Sequence, residues 1–356
     1  KPTITGTAQK IFEVYADADF ENLNLVNNAD YGRCIDTREP AITVNIKNCE
    51  LTATETYTQP LTIGGSGKDT SGNAAKAIVV NLDTVTITAG HYGITTFNPV
   101  ELTITGSKIS GYSALYFKGA KDANYDNPGT VKNPGVKDNG CVGSSGSTVN
   151  VVNSELSSVN NNGGKSNDFA TVVFEDTGVT LTFTSSDIAK AEANGDATQG
   201  LFSFSTVWWI DTDDDDVVDD DELVELNNGN AASGNRITVN SGCGLELTGD
   251  NTCFIVNALQ NTITVKAGVT SNFLIESKYL DTTNGELACV ATQTKDGVVT
   301  EYTVQAVSEE TVAPETPTTT PDSNGNAVIS TEKNEGTTIT KTDNDEVTIE
   351  LPSGSD

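Results

Sequence analysis

Basic side chains are scarce in this sequence. It contains one histidine and only three arginines, and its 20 lysine and arginine residues stand against 50 aspartate and glutamate residues. The formal net charge of -30 repels nucleic acids and anionic membrane surfaces, so neither class of partner is expected. The same charge disfavours acidic polysaccharides as ligands.

Methionine, long apolar runs and familiar catalytic motifs are also lacking. No apolar stretch approaches the roughly 20 residues that a membrane-spanning helix needs, so no transmembrane segment is expected. The chain starts at Lys1 without a signal-like stretch, which indicates a mature or trimmed form of an exported protein. No nucleophile elbow, phosphate-binding loop or dinucleotide-binding motif lies between a strand and a helix.

The few residues with catalytic potential have simpler explanations. His91, in AGHYG, is expected in a turn or at the surface, and Arg38, in DTREP, is expected to pair with a nearby acid on a loop. The pair Glu175–Asp176 fits glycoside hydrolysis, but a chain with 50 acids contains such pairs by chance. We therefore assign no catalytic residues.

The six cysteines, at positions 34, 49, 141, 243, 253 and 289, do not have the spacing of a zinc site. Two disulfides in an exported protein, Cys34–Cys49 and Cys243–Cys253, are one interpretation. Buried free thiols that act as small apolar side chains are the other, and the strand-like flanking sequences favour it.

An internal repeat dominates the chain. Seven segments alternate apolar and polar residues, break at a small polar residue and resume, and shorter strand-like runs lie between them. Asn and Gly at the break tolerate a left-handed backbone, which predicts a tight bend between two strands. The seven segments cover 41–53, 77–89, 99–111, 147–159, 178–190, 234–249 and 259–273.

The units resemble a known architecture through the segments VNIKNCELTA, LTITGSKISGYSALYF and VNVVNSELSS. They are similar to right-handed parallel β-helix proteins of the pectate-lyase-like superfamily, and in particular to β-helix repeat proteins of bacterial cell surfaces. The resemblance implies an all-β fold, a right-handed parallel β-helix (solenoid) with polar loop insertions. An antiparallel β-sandwich array is the alternative. Helices are expected only at 221–226 and near 188–194.

The domain organisation follows from where the repeat ends. Residues 1–290 are expected to form the β-helix, with 211–226 as an inserted loop and short helix. Residues 291–307 are expected to form a terminal β-hairpin that turns at KDG and caps the solenoid. Residues 308–326 are a Pro/Thr/acidic linker, and 327–356 are a Thr-rich β tail or spacer that leads towards an anchor region.

The stretch DTDDDDVVDDDE at 211–222 places nine acidic side chains in twelve positions. Its register resembles an EF-hand or dockerin-type calcium loop, which implies a Ca²⁺ site. Aspartate 216 stands where that pattern has glycine, and it adopts a positive φ less easily. A solvated acidic loop is the alternative. The implied ligands are Asp211, Asp213, Asp215, the Val217 carbonyl, Asp219 and Glu222.

The neighbouring pair Trp208 and Trp209 has two interpretations. The rings pack at the base of the insertion, or they form a platform on which a sugar stacks.

The resemblance implies a secreted or bacterial cell-surface protein, stabilised by calcium and without catalytic activity. It would act like an adhesin and bind a glycan or a host or cell-envelope protein. A polysaccharide-active lyase or glycoside hydrolase is one alternative, and a structural subunit of a surface layer or filament is another. The chain is expected as a monomeric rod or as an end-to-end homo-oligomer.

Overall fold

The computed structural model describes the chain in two compact units, 1–307 and 308–356. Only backbone is described for 199, 207–209, 223–225 and the strands of the second unit. The described residues are 1–64, 76–119, 143–158, 170–191, 199–205, 207–209, 223–225, 232–249, 252–258, 260–307, 327–329, 337–341 and 347–350.

The first unit is a parallel β-helix in which the chain passes repeatedly from sheet 1 to sheet 2 to sheet 3. Sheet 1 contains, in spatial order, Thr3–Gly6, Asn24–Asn27, Glu50–Ala53, Thr86–Ala89, Lys108–Gly111, Glu155–Ser158, Asp187–Lys190, Gly244–Leu247, Thr270–Ser271, Val298–Ala306 and Leu287–Lys295. Sheet 2 contains Lys10–Val14, Arg33–Thr37, Leu61–Ile63, Tyr92–Thr96, Ser113–Phe117, Ala170–Phe174, Gln199–Phe204 and Thr252–Val256. Sheet 3 contains Ala18–Glu21, Thr43–Lys47, Ile78–Asp83, Val100–Thr105, Thr148–Val152, Thr180–Thr184, Arg236–Val239 and Thr262–Val265.

Successive coils stack in register, so like residues form rows along the solenoid. Leu51 pairs with Ile87, Ile87 with Ile109, and Ile109 with Leu156, all in parallel strands. These inward-facing aliphatic rows are buried and form one continuous core. The predicted fold class, a parallel β-helix with insertions, is confirmed.

The corner from sheet 3 to sheet 1 is the tightest in each coil. Two residues connect the strands in the first six coils, and the first of the two always has a positive φ. The bend predicted at small polar residues is therefore confirmed, because these residue types enter the left-handed region most readily. The six positions are Asn22, Asn48, Thr84, Gly106, Asn153 and Ser185.

From the second of these corners onward, the second residue is buried, and several of these residues link neighbouring coils. The backbone N–H groups of Val85, Ser107 and Ser154 donate in turn to the Oγ atoms of Ser107, Ser154 and Ser186, at 3.0, 3.1 and 3.1 Å. The N–H of Ser186 continues the series by donating to Cys243 Sγ at 3.5 Å. Each hydroxyl satisfies a buried donor that an apolar side chain would leave without a partner.

The helix expected at 221–226 is wrong for its described part. Leu223–Glu225 is a strand, and it pairs antiparallel with Val207–Trp209. Its β-branched and leucine side chains suit a strand as well as a helix, and the partner strand decides between them. The helix expected near 188–194 is also wrong for its described part, because Asp187–Lys190 is a strand of sheet 1.

The end of the first unit carries an antiparallel hairpin. Its strands are Leu287–Lys295 and Val298–Ala306, and Gly297 with φ of 80° lies in the turn. The second strand pairs with Thr270–Ser271, the last parallel strand of sheet 1. A short 3-10 helix, Ser277–Tyr279, precedes the hairpin. The hairpin thus begins at Leu287 rather than at 291.

The second unit contains a three-stranded antiparallel sheet. Its strands are Ala327–Ile329, Thr337–Lys341 and Val347–Glu350. The second strand, Thr337–Lys341, lies between the other two and pairs with both.

Five of the six cysteines are described, and all five are free thiols. Burial raises the pKa of Cys34 to about 12, so its thiol stays protonated. The interpretation of the cysteines as buried thiols is therefore supported over the two disulfides. Among the described helical segments, none has the length and apolar character to cross a bilayer.

Candidate functional site

The outer face of sheet 2 is the first place to look for a site. Within the coils, the long segments that connect two strands begin or end at strands of this sheet. Unlike sheets 1 and 3, its central strands are buried on both faces. The outward side chains form a second buried cluster, separate from the core. Its members are Tyr92, Tyr112, Tyr116, Ala170 and Val173.

Glu175 anchors a buried polar network at the edge of this face. Its Oε1 accepts hydrogen bonds from the Tyr116 hydroxyl and from Lys118 Nζ at 3.2 Å. Its Oε2 accepts from the Gly119 N–H at 3.2 Å. Lys118 also lies over the Tyr116 ring, with Nζ 4.6 Å from the ring centre. The carboxylate is therefore fully used in holding neighbouring coils together.

Titration in this region is suppressed mainly by burial. Burial, with a contribution from the nearby Lys118 charge, lowers the pKa of His91 to about 3, so its imidazole is neutral under physiological conditions. Burial, followed by the Glu175 charge, raises the pKa values of Tyr92 and Tyr116 well above the ordinary range. The imidazolium form that a general acid needs is therefore not populated at His91 near neutral pH. His91 is only 8% exposed and stacks on Tyr92. The surface position predicted for this residue is therefore wrong.

Asp176, the neighbour of Glu175, has a structural role of its own. Its two oxygens accept hydrogen bonds from the backbone N–H groups of Thr177 (2.8 Å) and Ser145 (2.9 Å). Burial raises its pKa, and these hydrogen bonds oppose the rise. The two carboxylates of the predicted pair thus face different partners.

Arg38 belongs to a charged cluster at the other end of the same sheet. Its Nη1 lies 3.2 Å from Asp36 Oδ2, so the expected pairing with a nearby acid is confirmed. Arg33 Nη1 and Lys10 Nζ reach the same oxygen at 3.2 and 3.1 Å. The Asp36 side chain is fully buried beneath these three cations. Two of the three arginines in the sequence therefore meet at one carboxylate.

A groove of 640 Å³ lies on the outer face of sheet 1, near the C-terminal hairpin. The floor is made of small residues, and a Cβ at Gly244 would lie 2.6 Å from Asp187 Oδ1. Glycine at this position therefore leaves room for the carboxylate of the neighbouring coil. The lining residues are Glu155, Leu156, Ser157, Asp187, Ile188, Ala189, Gly244, Leu245, Glu246, Thr270, Ser271, Asn272, Thr300 and Glu301.

The groove has an acidic and hydroxyl-rich lining. Four carboxylates contribute to it, while its lining contains neither lysine, arginine nor histidine. Glu155 is neutralised by Lys108, whose Nζ lies 2.7 Å from Oε1. Asp187, Glu246 and Glu301 form no ion pair within the described part of the chain, so the groove favours neutral or positively charged ligands.

The predicted calcium ligands lie outside the described residues, and so do the side chains of Trp208 and Trp209. The backbone on either side is described, and Trp209 pairs with Leu223 across a two-stranded hairpin. This pairing brings together the described residues on the two sides of the acidic segment in the sequence. Across the rest of the described structure, no group of three or more His, Cys, Asp or Glu side chains could hold a metal ion.

No protein-family model, curated protein or solved structure matches this chain. Two sites escaped the sequence analysis, the tyrosine cluster on sheet 2 and the groove on sheet 1. A signal for the first was present, because SALYF and ATVVF lack the alternation of a half-buried strand. The groove had no local signal, since it combines four coils with a hairpin far along the chain.

Proposed function

We propose that this protein is a secreted or cell-surface β-helix that binds glycans without chemical turnover. The observation that carries the proposal is the groove on sheet 1, an open cavity with hydroxyls, an amide and three carboxylates that form no ion pair with another described residue. Such groups bind the hydroxyls of sugars and attract amino groups. The ligand is therefore a neutral or amine-bearing glycan, and uronate-rich chains are repelled.

The engagement of the catalytic candidates supports a binding role over an enzymatic one. Glu175, Asp176 and Arg38 are held by hydrogen bonds or ion pairs to neighbouring residues, and His91 is buried and neutral. Acid–base catalysis needs a group that can reach a substrate and exchange a proton near the working pH. The bacterial surface location and the similarity to pectate-lyase-like proteins remain part of the proposal.

Calcium is the proposed stabiliser of the acidic segment. The pairing of Val207–Trp209 with Leu223–Glu225 places the described residues that flank the segment side by side, which supports a closed set of oxygen ligands between them. The residues that would hold the ion are Asp211, Asp213, Asp215, Val217 through its carbonyl, Asp219 and Glu222. The ion would offset the repulsion between crowded carboxylates.

A glycan array, run together with assays for reducing ends and unsaturated products, tests the proposed function. We expect retention of neutral or amine-bearing glycans and no product from any polysaccharide. The double change Asp187→Lys, Glu246→Lys should abolish retention, since it reverses the charge of the groove. The matched control is Glu50→Lys, on the same face of sheet 1 but outside the groove.

Two results would overturn the proposal. Turnover of a polysaccharide would make the protein an enzyme, and glycan retention unchanged in the double variant would remove the groove as the binding site. Size analysis over a range of protein concentrations separates a monomeric rod from end-to-end assembly. End-to-end assembly would support the alternative proposal, a structural subunit of a filament or surface layer.

A further inference from the structure

A row of in-register residues runs along the outer face of sheet 1 and enters the groove. On adjacent strands it consists of Lys108, Glu155, Asp187, Gly244 and Thr270. Lys108 Nζ contacts both oxygens of Glu155, at 2.7 and 2.8 Å. Asp187 is the next carboxylate of the row, and no cation of the described residues forms an ion pair with it. The position that follows is glycine, which presents no side chain to this carboxylate.

The Gly244 backbone is the floor of a small cradle within the groove. A Cβ at this position would lie 2.6 Å from Asp187 Oδ1 and 3.8 Å from Thr270 Oγ1. Asp187 belongs to the previous coil and Thr270 to the next, so the carboxylate and the hydroxyl flank the glycine on opposite sides. A side chain at position 244 would lie between them. With glycine there, a small group of a ligand can rest on the backbone and contact both.

Two further carboxylates lie along the groove. Glu246 follows Gly244 by two residues on the same strand, so its side chain shares the outer face. From the strand spacing and the rise per residue, the Cα atoms of Glu246 and Asp187 are about 8 Å apart. Glu301 is oriented by the hairpin, since its Oε1 accepts hydrogen bonds from two side chains of the paired strand at 3.0 and 3.1 Å. Negative charge at several points favours a ligand with repeated positive charge.

The lining gives a neutral sugar little to bind through its ring faces. Among the described residues that line the groove, none is aromatic, so stacking of a sugar ring on an aromatic face does not contribute. Hydrogen bonds must then provide the affinity, and those that join two charged groups are about twice as strong as neutral ones. Within the class of neutral and amine-bearing glycans, the groove therefore favours the amines.

We propose that the groove selects oligosaccharides of unacetylated 2-amino sugars, an inference that rests on the proposed function. One ammonium group lies over Gly244, where it donates to Asp187 Oδ1 and Thr270 Oγ1. This is the kind of contact that Lys108 makes with the preceding carboxylate of the row. The amino group of a neighbouring sugar reaches Glu246. N-acetylation removes the charge and adds atoms that a cradle of this size does not accommodate, so acetylated sugars bind more weakly.

Calorimetric titration of the full chain with four tetramers tests this specificity. Three are β-1,4-linked sugars that differ only in the group at C2, namely glucosamine, N-acetylglucosamine and glucose. The fourth is tetralysine, a polycation without sugar rings. The titrations are made at mildly acidic pH, where the sugar amines are charged and exposed carboxylates are still ionised. We expect the glucosamine tetramer to bind about tenfold more tightly than each of the other three.

Two variants assign this preference to the cradle. Asp187→Asn removes the charge at nearly constant size, and Gly244→Ala places a methyl group between Asp187 and Thr270. Gly244 does not have a positive φ, and only the tip of the exposed Asp187 side chain must move, so Gly244→Ala should melt close to the parent temperature. Both variants should bind the glucosamine tetramer about tenfold more weakly. Glu101→Gln is the matched control, since it removes an exposed carboxylate from sheet 3 and should keep the preference.

Several results would overturn the inference. These are equal affinity for the three sugars, equal affinity for tetralysine and the glucosamine tetramer, a preference that persists in both cradle variants, and no binding of the glucosamine tetramer. The fate of the proposed function is read separately. If the glucose tetramer binds the parent protein as tightly and is lost in the double variant Asp187→Lys, Glu246→Lys, the groove remains a glycan site without a preference for amines.

Discussion

The Lys190 ammonium group lies 5.7 Å from the centre of the Tyr112 ring, inside the corner between sheets 1 and 2. Lys190 is only 2% exposed and shares the inward-facing side of its strand with Ile188. The in-register residue of the previous coil is Ser158, which is small enough to leave room for the long side chain. Within the described residues, no carboxylate forms an ion pair with Lys190.

This burial predicts that Lys190 lowers stability in a pH-dependent way. Burial lowers the pKa of Lys190 from 10.5 to about 8. The folded state therefore holds the proton less tightly, and the free energy of unfolding should rise as the pH increases from about 8 to 10.5. Lys190→Met should raise the free energy of unfolding by roughly 3 kcal/mol at neutral pH, and the gain should vanish above the unfolded-state pKa.

Urea unfolding of both proteins across this pH range measures the difference. Lys278→Met is a suitable control, because Lys278 is exposed and should change stability little at any pH. A destabilised Lys190→Met protein at neutral pH would show that the contact with Tyr112 outweighs the cost of burial.

The serine series inside the solenoid gives a second prediction. Ser154 Oγ accepts from the Ser107 N–H and donates to the Val152 carbonyl at 2.8 Å. Ser154→Ala should therefore lower the free energy of unfolding by about 2 kcal/mol, because a buried N–H loses its acceptor. Denaturant unfolding measures the change.

A conservative variant tests whether the acceptor causes this loss. Ser154→Cys should recover part of the stability, since Cys243 accepts the same kind of bond two positions further along the series. Ser157→Ala, on the outer face of the strand that follows Ser154, should have little effect. Equal losses in the alanine and cysteine variants would argue that packing, rather than hydrogen bonding, is responsible.

The acidic segment gives a third prediction, in the form of a calcium-dependent melting temperature. Calcium added to the chelated protein should raise Tm, as any ligand that prefers the native state must. The double change Asp211→Ala, Glu222→Ala should abolish this rise, because it removes the first and last ligands of the proposed site. Differential scanning calorimetry with and without chelator measures both.

Magnesium is the matched control for the ion, since it demands a smaller octahedral site and keeps its water ligands. An equal rise with magnesium would indicate general screening of the acidic segment. A calcium-dependent rise that persists in the double variant would place the ion elsewhere.

The solenoid could be predicted from the sequence because its signals are local and repeated. Alternation in segments such as 99–111 identified strands, and a small polar residue at the break identified the corner, where Gly106 has positive φ. Repetition along seven segments then left stacked coils as the simplest arrangement. The alternation alone did not show three sheets, because a period of two does not reveal where the chain turns.

The sites were less predictable, since they depend on contacts between residues that are distant in sequence. Lys118 and Glu175 meet only because their strands stack, and Glu301 reaches the groove only because the hairpin returns to sheet 1. His91 was expected near the surface, but coils on both sides bury it. The strand at Leu223–Glu225 was mistaken for a helix because its partner, Val207–Trp209, supplied the deciding information.

The tight corner between sheets 3 and 1 has a consequence for how such a chain can change over time. With only two residues in each of the first six corners, an added or deleted residue there would shift a whole strand out of step with its neighbours. The margins of sheet 2 carry no such restriction and already accommodate stretches of very different length. In those six coils, insertions can therefore be acquired beside sheet 2 while the corner between sheets 3 and 1 keeps its length.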